Sequence, residues 1–138
     1  MTFLEIHQVV NARIAEWLAS YDPNLPVDWD NVPASPRLKA AWEGKRSAWI
    51  RPVINVADTA TATIGHEPSS RTTGKIQVQV FVPENGTVRQ TLEIGDSLGQ
   101  HLEYWRSGTL VTDCYSANRA GTSDGWFMAV IDVDFTAG

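Results

Sequence analysis

The chain is poor in the residues from which small reactive sites are usually built. Of its 138 residues one is cysteine, Cys114, and three are histidines, His7, His66 and His101. A single cysteine closes no intramolecular disulfide and builds no cysteine-rich zinc site, and histidines this scattered form no ligand motif. Folding in a reducing cytoplasm without a metal or other cofactor is the expectation. Positive charge is also scarce: 11 Lys and Arg stand against 16 Asp and Glu, for a net charge of -5 and a pI near 5.0. That balance argues against a basic face that grips nucleic acid whatever its sequence, although a polyanion can pass nearby without sticking. No apolar run approaches the ~20 residues needed to cross a bilayer, and Met1-Thr2-Phe3-Leu4-Glu5 lacks a basic secretory start. The expectation is a soluble, intracellular protein without membrane contact. Asn85-Gly86-Thr87 fits a glycosylation sequon but reads better as a turn.

What the chain has is enough apolar material for one core. Hydrophobic residues make up 43% and charged residues 20%, and a chain of this size buries roughly two thirds of its unfolded surface. One domain over residues 1–138 is expected. Phe3, Ile6, Val10, Ile14, Trp17 and Leu18 fall at helical spacing, and Thr2 with Glu5 makes a capping box ahead of them. Two prolines in Tyr21–Pro26 end that helix, and Val27–Asp30 follows as a short extended segment. The stretch from Asn31 to Arg46, with Pro33, Pro36 and Gly44, reads as a long irregular loop.

Alternation from Ser47 to Ala57 indicates a strand, which Pro52 confines to an edge or a bulge. Thr59–Thr63 suggests a second strand pairing with it, and Gly65–Gly74 a polar connector. Ile76, Val78, Val80 and Val82 on one face give the clearest strand. After a turn at Pro83–Gly86, Val88, Leu92, Gly95, Gly99, Leu102 and Trp105 mark a second helix whose glycines form a smooth strip for close packing. Thr109–Tyr115 and Trp126–Phe135 are the last strands. Because strands and helices do not alternate as parallel units do, the fold class expected is α+β, a mostly antiparallel β-sheet with two α-helices packed on one face.

No chemistry is specified. Cys114 reads as a buried structural thiol, and no G-x-S-x-G elbow supports a serine nucleophile. Asp28/Asp30 and Asp132/Asp134 can each project from one strand face about 7 Å apart, but a solvated face explains them better. Tryptophan is abundant, at positions 17, 29, 42, 49, 105 and 126. Trp17 and Trp105 read as core residues of the two helices. Trp42 lies in the basic stretch Arg37, Lys39, Lys45 and Arg46, an arrangement that suits a contact surface as well as it suits a loop anchor.

The order of elements and the aromatic placement resemble the tail terminator-like proteins of long-tailed bacteriophages. The likeness is carried by Asn11–Trp17 in the first helix, Val27-Asp28-Trp29-Asp30-Asn31-Val32-Pro33, Trp49–Val53, Gly74–Pro83 and Gly125–Val130. It implies a non-enzymatic structural virion protein, without cofactor, forming a hexameric ring at the head-proximal end of the tail tube. Such a ring stops tube polymerisation and offers the surface on which the head docks, after assembly in the host cytoplasm. The implied partners are other copies of the chain, the major tail tube protein and a head–tail connector or head-completion protein, with DNA passing through the lumen unbound. A neck or head-closure protein is the nearest alternative. A small α+β enzyme or ligand-binding domain using Cys114, Tyr115 or the aspartate pairs is the alternative from another class.

Three expectations about surfaces follow. The sheet face bearing Trp49, Val53, Trp126, Met128 and Val130 is too apolar for a free monomer and is expected at subunit contacts. Acidic groups, with Asp132, Asp134, Glu84 and Glu93 as contributors, are expected to outnumber basic ones along the lumen. Arg37, Lys39, Trp42, Lys45 and Arg46 in the first long loop, and His66 and Arg71 in the polar connector, are expected to carry docking contacts.

Overall fold

A computed structural model of the chain describes all residues except 31, 44–46, 62–69 and 84–87. The expected turn at Pro83–Gly86 beyond Pro83, the sequon, Glu84, Lys45, Arg46 and His66 lie outside the described residues. Elements follow in the order α1 (Phe3–Tyr21), α2 (Pro36–Trp42), β1 (Trp49–Thr61), β2 (Ser70–Pro83), α3 (Val88–Leu102), β3 (Arg106–Ser107), β4 (Leu110–Ser123) and β5 (Trp126–Ala137). The strands form one antiparallel sheet in the order β1-β2-β5-β4-β3. This is the expected α+β class.

Strict alternation decides which face of the sheet is core. Ile76, Val78, Val80 and Val82 of β2, and Ile131, Val133 and Phe135 of β5, are buried under Ile6, Val10, Ile14 and Trp17 of α1 and Ile94, Leu98 and Leu102 of α3. The Thr2 hydroxyl accepts the Glu5 N–H at 3.2 Å and starts α1 where the capping pattern requires. The two helices are tied to each other, because the Trp17 indole N–H donates to Ser97 Oγ at 3.0 Å. The Arg13 guanidinium donates to the His101 carbonyl at 2.9 and 3.1 Å, satisfying an end of α3 that has no intrahelical partner.

The glycine strip of α3 lies against the sheet as expected. A Cβ at Gly95 would sit 2.7 Å from Ile131 Cδ1, and one at Gly99 would sit 2.5 Å from Tyr115 Cγ. Only bare backbone lets α3 come this close. Beyond α3, Thr112 binds the chain's return into the sheet: its buried hydroxyl donates to the Leu102 carbonyl at 2.6 Å and accepts the Trp105 N–H at 2.8 Å.

Several expectations need correction. Residues 36–42 are helical, because Ser35 accepts the Leu38 N–H at 3.2 Å and Pro36 occupies the first turn, where its missing N–H costs nothing. The two strands expected over 47–63 are one, carried through a register shift between Val56 and Asp58. The connector ends earlier than Gly74, since Ser70–Gly74 pair with β1. The second helix stops at Leu102, leaving Trp105 half-buried just past it. Cys114 is exposed, not buried. A register shift between Thr112 and Tyr115 resets the alternation that had placed it inward.

Candidate assembly surfaces

The expected apolar face is largely covered by the chain itself. Trp49, Phe81, Trp126 and Met128 do lie on the side of the sheet away from α1 and α3, as their registers require. Trp49 and Trp126 are buried, however, because Leu38 of α2 packs with them in one cluster. Both helices of the sequence reading share one face, and α2 is an addition that reaches the other. Burying a leucine side chain is worth roughly 1.5–3 kcal/mol, enough to hold a seven-residue helix that has little stability alone.

The result is an aromatic cluster at one end of the sheet. Trp49 stacks on Phe81 with ring centres 4.0 Å apart and meets Trp126 edge-on at 5.9 Å. Trp42, the last residue of α2, meets Trp49 edge-on at 5.5 Å while staying 36% exposed. The Arg51 guanidinium lies 5.1 Å from the Trp49 ring and 5.4 Å from Phe81, and pairs with Asp28 at 2.9 Å. Asp28 belongs to the extended segment that bridges to β1 through Val27 and Ile50. One aspartate of the Asp28/Asp30 pair is therefore committed to an ion pair.

The expected docking residues divide between the two ends of the sheet. Trp42, Trp49, Trp126 and the half-buried Met128 gather at the α2 end, with Arg37 and Lys39 exposed on α2 itself. Arg37 also donates to the Pro23 carbonyl at 3.1 Å, tying α2 to the turn after α1. Arg71 is exposed at the opposite end of β2, across from Ala60 of β1. An open groove of about 650 Å³ runs beside α2, lined by Leu18, Trp29, Val32, Pro33 and Arg37 among others. Cys114, Tyr115 and the aspartate pairs have no part in it.

The rest of the second face is polar. Arg51, Gln79, Val130 and Asn118 make one row across the four long strands, and Val53, Gln77, Asp132 and Ser116 make the next. Asn55 donates its side-chain amide to Gln77. Lys75 and Asp134 form an exposed pair at 3.9 Å, of the kind worth less than about 1 kcal/mol. Asp132 Oδ1 is sheltered and has no hydrogen-bond partner among the described residues. Glu93 stands apart from these carboxylates: it is on α3, paired with Arg89 at 2.8 Å, on the opposite side of the sheet. Among the described residues no group of three or more His, Cys, Asp or Glu could hold a metal ion, and no helix is long and apolar enough to cross a membrane.

A family model described as phage tail terminator protein matches residues 5–135 of the chain. The chain belongs to the phage tail terminator family. For this tail terminator family member the role is a structural one in the virion tail, in a family that is not enzymatic. No curated protein matches the chain. Among solved structures, one is 19% identical, with a TM-score of 0.73 over 100% of this chain and 96% of its own, which bears on the fold alone.

Proposed function

We propose that this tail terminator family member assembles as a hexameric ring on the head-proximal end of the phage tail tube, ends tube polymerisation and presents the surface on which the head docks. The observation that carries the reading is the family match over nearly the whole chain, residues 5–135. The geometry supports it in two ways. The partly exposed Trp42 with exposed Arg37 and Lys39 makes α2 a contact surface and not a cavity, as docking to a tube protein or a connector requires. The polar sheet face carries Asp132, whose Oδ1 has no hydrogen-bond partner among the described residues, and a neutralised Lys75–Asp134 pair, so turned toward a bore it would offer DNA little to hold.

The test is electron microscopy and native mass spectrometry of the purified chain, alone and with tail tubes. Closed rings, free or seated on one end of the tubes, are the expected result. A chain that stays monomeric in both conditions, and leaves tube length unrestricted, would overturn the reading.

A further inference from the structure

The sheet has two open edges. At one edge, the Pro26 carbonyl and the Asp28 N–H cover β1 at Ile50, with bonds of 3.1 and 2.8 Å. From Arg51 to Thr61 the outer side of β1 has no strand partner among the described residues. At the other edge, β3 covers β4 at Leu110 and Val111. The Glu103 carboxylate then accepts the Tyr115 N–H at 3.2 Å, and beyond that residue the outer side of β4 has no strand partner among the described residues as far as Ser123. The two strands are of matched length, 13 and 14 residues. Unpaired N–H and C=O rows of this length are templates for another strand.

Strand direction says what fits them. The four long strands β1, β2, β5 and β4 alternate in direction across the sheet. With an even number of alternating strands, the β4 of one copy and the β1 of a second copy beside it run antiparallel while both helix layers stay on the same side. An odd number would have forced a parallel seam or an inverted neighbour. Charge agrees: the open stretch of β1 carries exposed Asp58 and that of β4 exposed Arg119, neither in an ion pair among the described residues. Unlike edges attract, and a stagger along the strands, which closing any sheet on itself demands, can bring the two together. Two like edges would instead close as an isolated pair.

We propose that neighbouring copies join edge to edge, the outer side of β4 in one copy hydrogen-bonding the outer side of β1 in the next, so that the sheets run continuously around the assembly. The inference rests on the ring reading above and specifies the seam within it. Pro52 fits the seam as an interruption, because its missing N–H faces outward with Ile50 and breaks no bond to β2.

The test uses proline at outward-facing positions, where it removes a donor from the seam and none from the subunit's own ladder. By alternation from Ile50, Val56 faces outward on β1; by alternation from Tyr115, Ala117 does so on β4. Val56→Pro and Ala117→Pro are made in the full chain, checked for folding by circular dichroism and thermal melting, and weighed by native mass spectrometry. Where the wild type is fully assembled, each folded variant is expected to be monomeric, and an equimolar mixture of the two to stop at a heterodimer, since one intact edge of each kind remains. Wild-type rings with both folded variants also forming rings would overturn the seam and leave the ring standing. Loss of assembly in one variant only would overturn it too, by pointing to like edges or another surface. If either proline variant fails to fold, Val56→Lys with Ala117→Lys replaces it, and retained rings again refute the seam. A wild type that never assembles, even on tail tubes, refutes the ring and the seam together.

Discussion

Gly99 offers a quantitative check on how α3 meets the sheet. In an isolated helix, alanine at this position would be favoured over glycine by about 1 kcal/mol. Here the added Cβ would stand 2.5 Å from Tyr115 Cγ and 2.9 Å from Cε2, where carbon atoms prefer about 3.5–4.0 Å. Either the ring or the helix must retreat by about 1 Å. The ring is not free to do so, because the Tyr115 hydroxyl donates to Asp96 Oδ1 at 3.0 Å, a bond that also raises the phenol above its ordinary pKa. Overpacking of this kind costs about 1–3 kcal/mol, so Gly99→Ala should destabilise by about 1 kcal/mol net. For a chain of this size that lowers the melting temperature by about 4 °C. With the ring removed in Tyr115→Ser, the same Gly99→Ala change should stabilise by about 1 kcal/mol, giving a coupling of about 2 kcal/mol in urea titrations of the four proteins. A stabilising effect in the wild-type background, or equal effects in both backgrounds, would refute the close-packing account.

Three further perturbations separate support from contact and charge from packing. Leu38→Ala should cost about 2–5 kcal/mol in urea unfolding and free Trp49 and Trp126 to drive aggregation, whereas Trp42→Ala, at a 36% exposed position, should cost about 1–2 kcal/mol and leave the fold intact while tails grow abnormally long. Trp42→Ala particles with normal tails would remove that residue from the docking surface. His101 is held below its ordinary pKa by burial and then by the Arg13 guanidinium. The unfolded chain therefore binds this proton first, and the stability present above about pH 6.5 falls as the pH drops from there toward the lowered folded-state value. Thermal melts from pH 8 to 5 should show the loss in the wild type and a flatter profile in His101→Gln.

Much of the helix layer and inner sheet was legible from period alone. Ile76–Val82 and Phe127–Phe135 keep strict alternation through central strands, and Ile6–Trp17 keeps helical spacing, because burial on one side leaves those positions no other choice. Gly95 and Gly99 were read correctly as a packing strip for the same reason. What failed was local. Ser35-Pro36 is a helix start, but Pro33 and Gly44 on either side drew the whole stretch toward a loop. The exposed aromatic face was misjudged with it, since only a helix there can bring Leu38 onto Trp49 and Trp126. Cys114 was misplaced because a bulge at 112–115 leaves no mark in composition. A missed signal was Asp124-Gly125, whose backbone has φ of 52° and 81° in the tight connection between β4 and β5. An aspartate-glycine pair between alternating runs is a strong hairpin marker, and would have extended both strands to their observed lengths.

The tryptophan distribution gives the molecule an unequal optical signature. Trp42, Trp49 and Trp126, three of the six, share one cluster at the α2 end, with Trp49 flat against Phe81. Trp17 alone among the indoles is buried within the helix layer, stacked on Tyr21 at 4.8 Å. Emission and near-ultraviolet dichroism are therefore weighted toward the docking of one short helix, while far-ultraviolet dichroism is weighted toward α1, α3 and the long strands. Coincident transitions by the two probes mean that α2 melts with the whole domain; an earlier optical transition means that this end opens first, and the light reports the surface before it reports the fold.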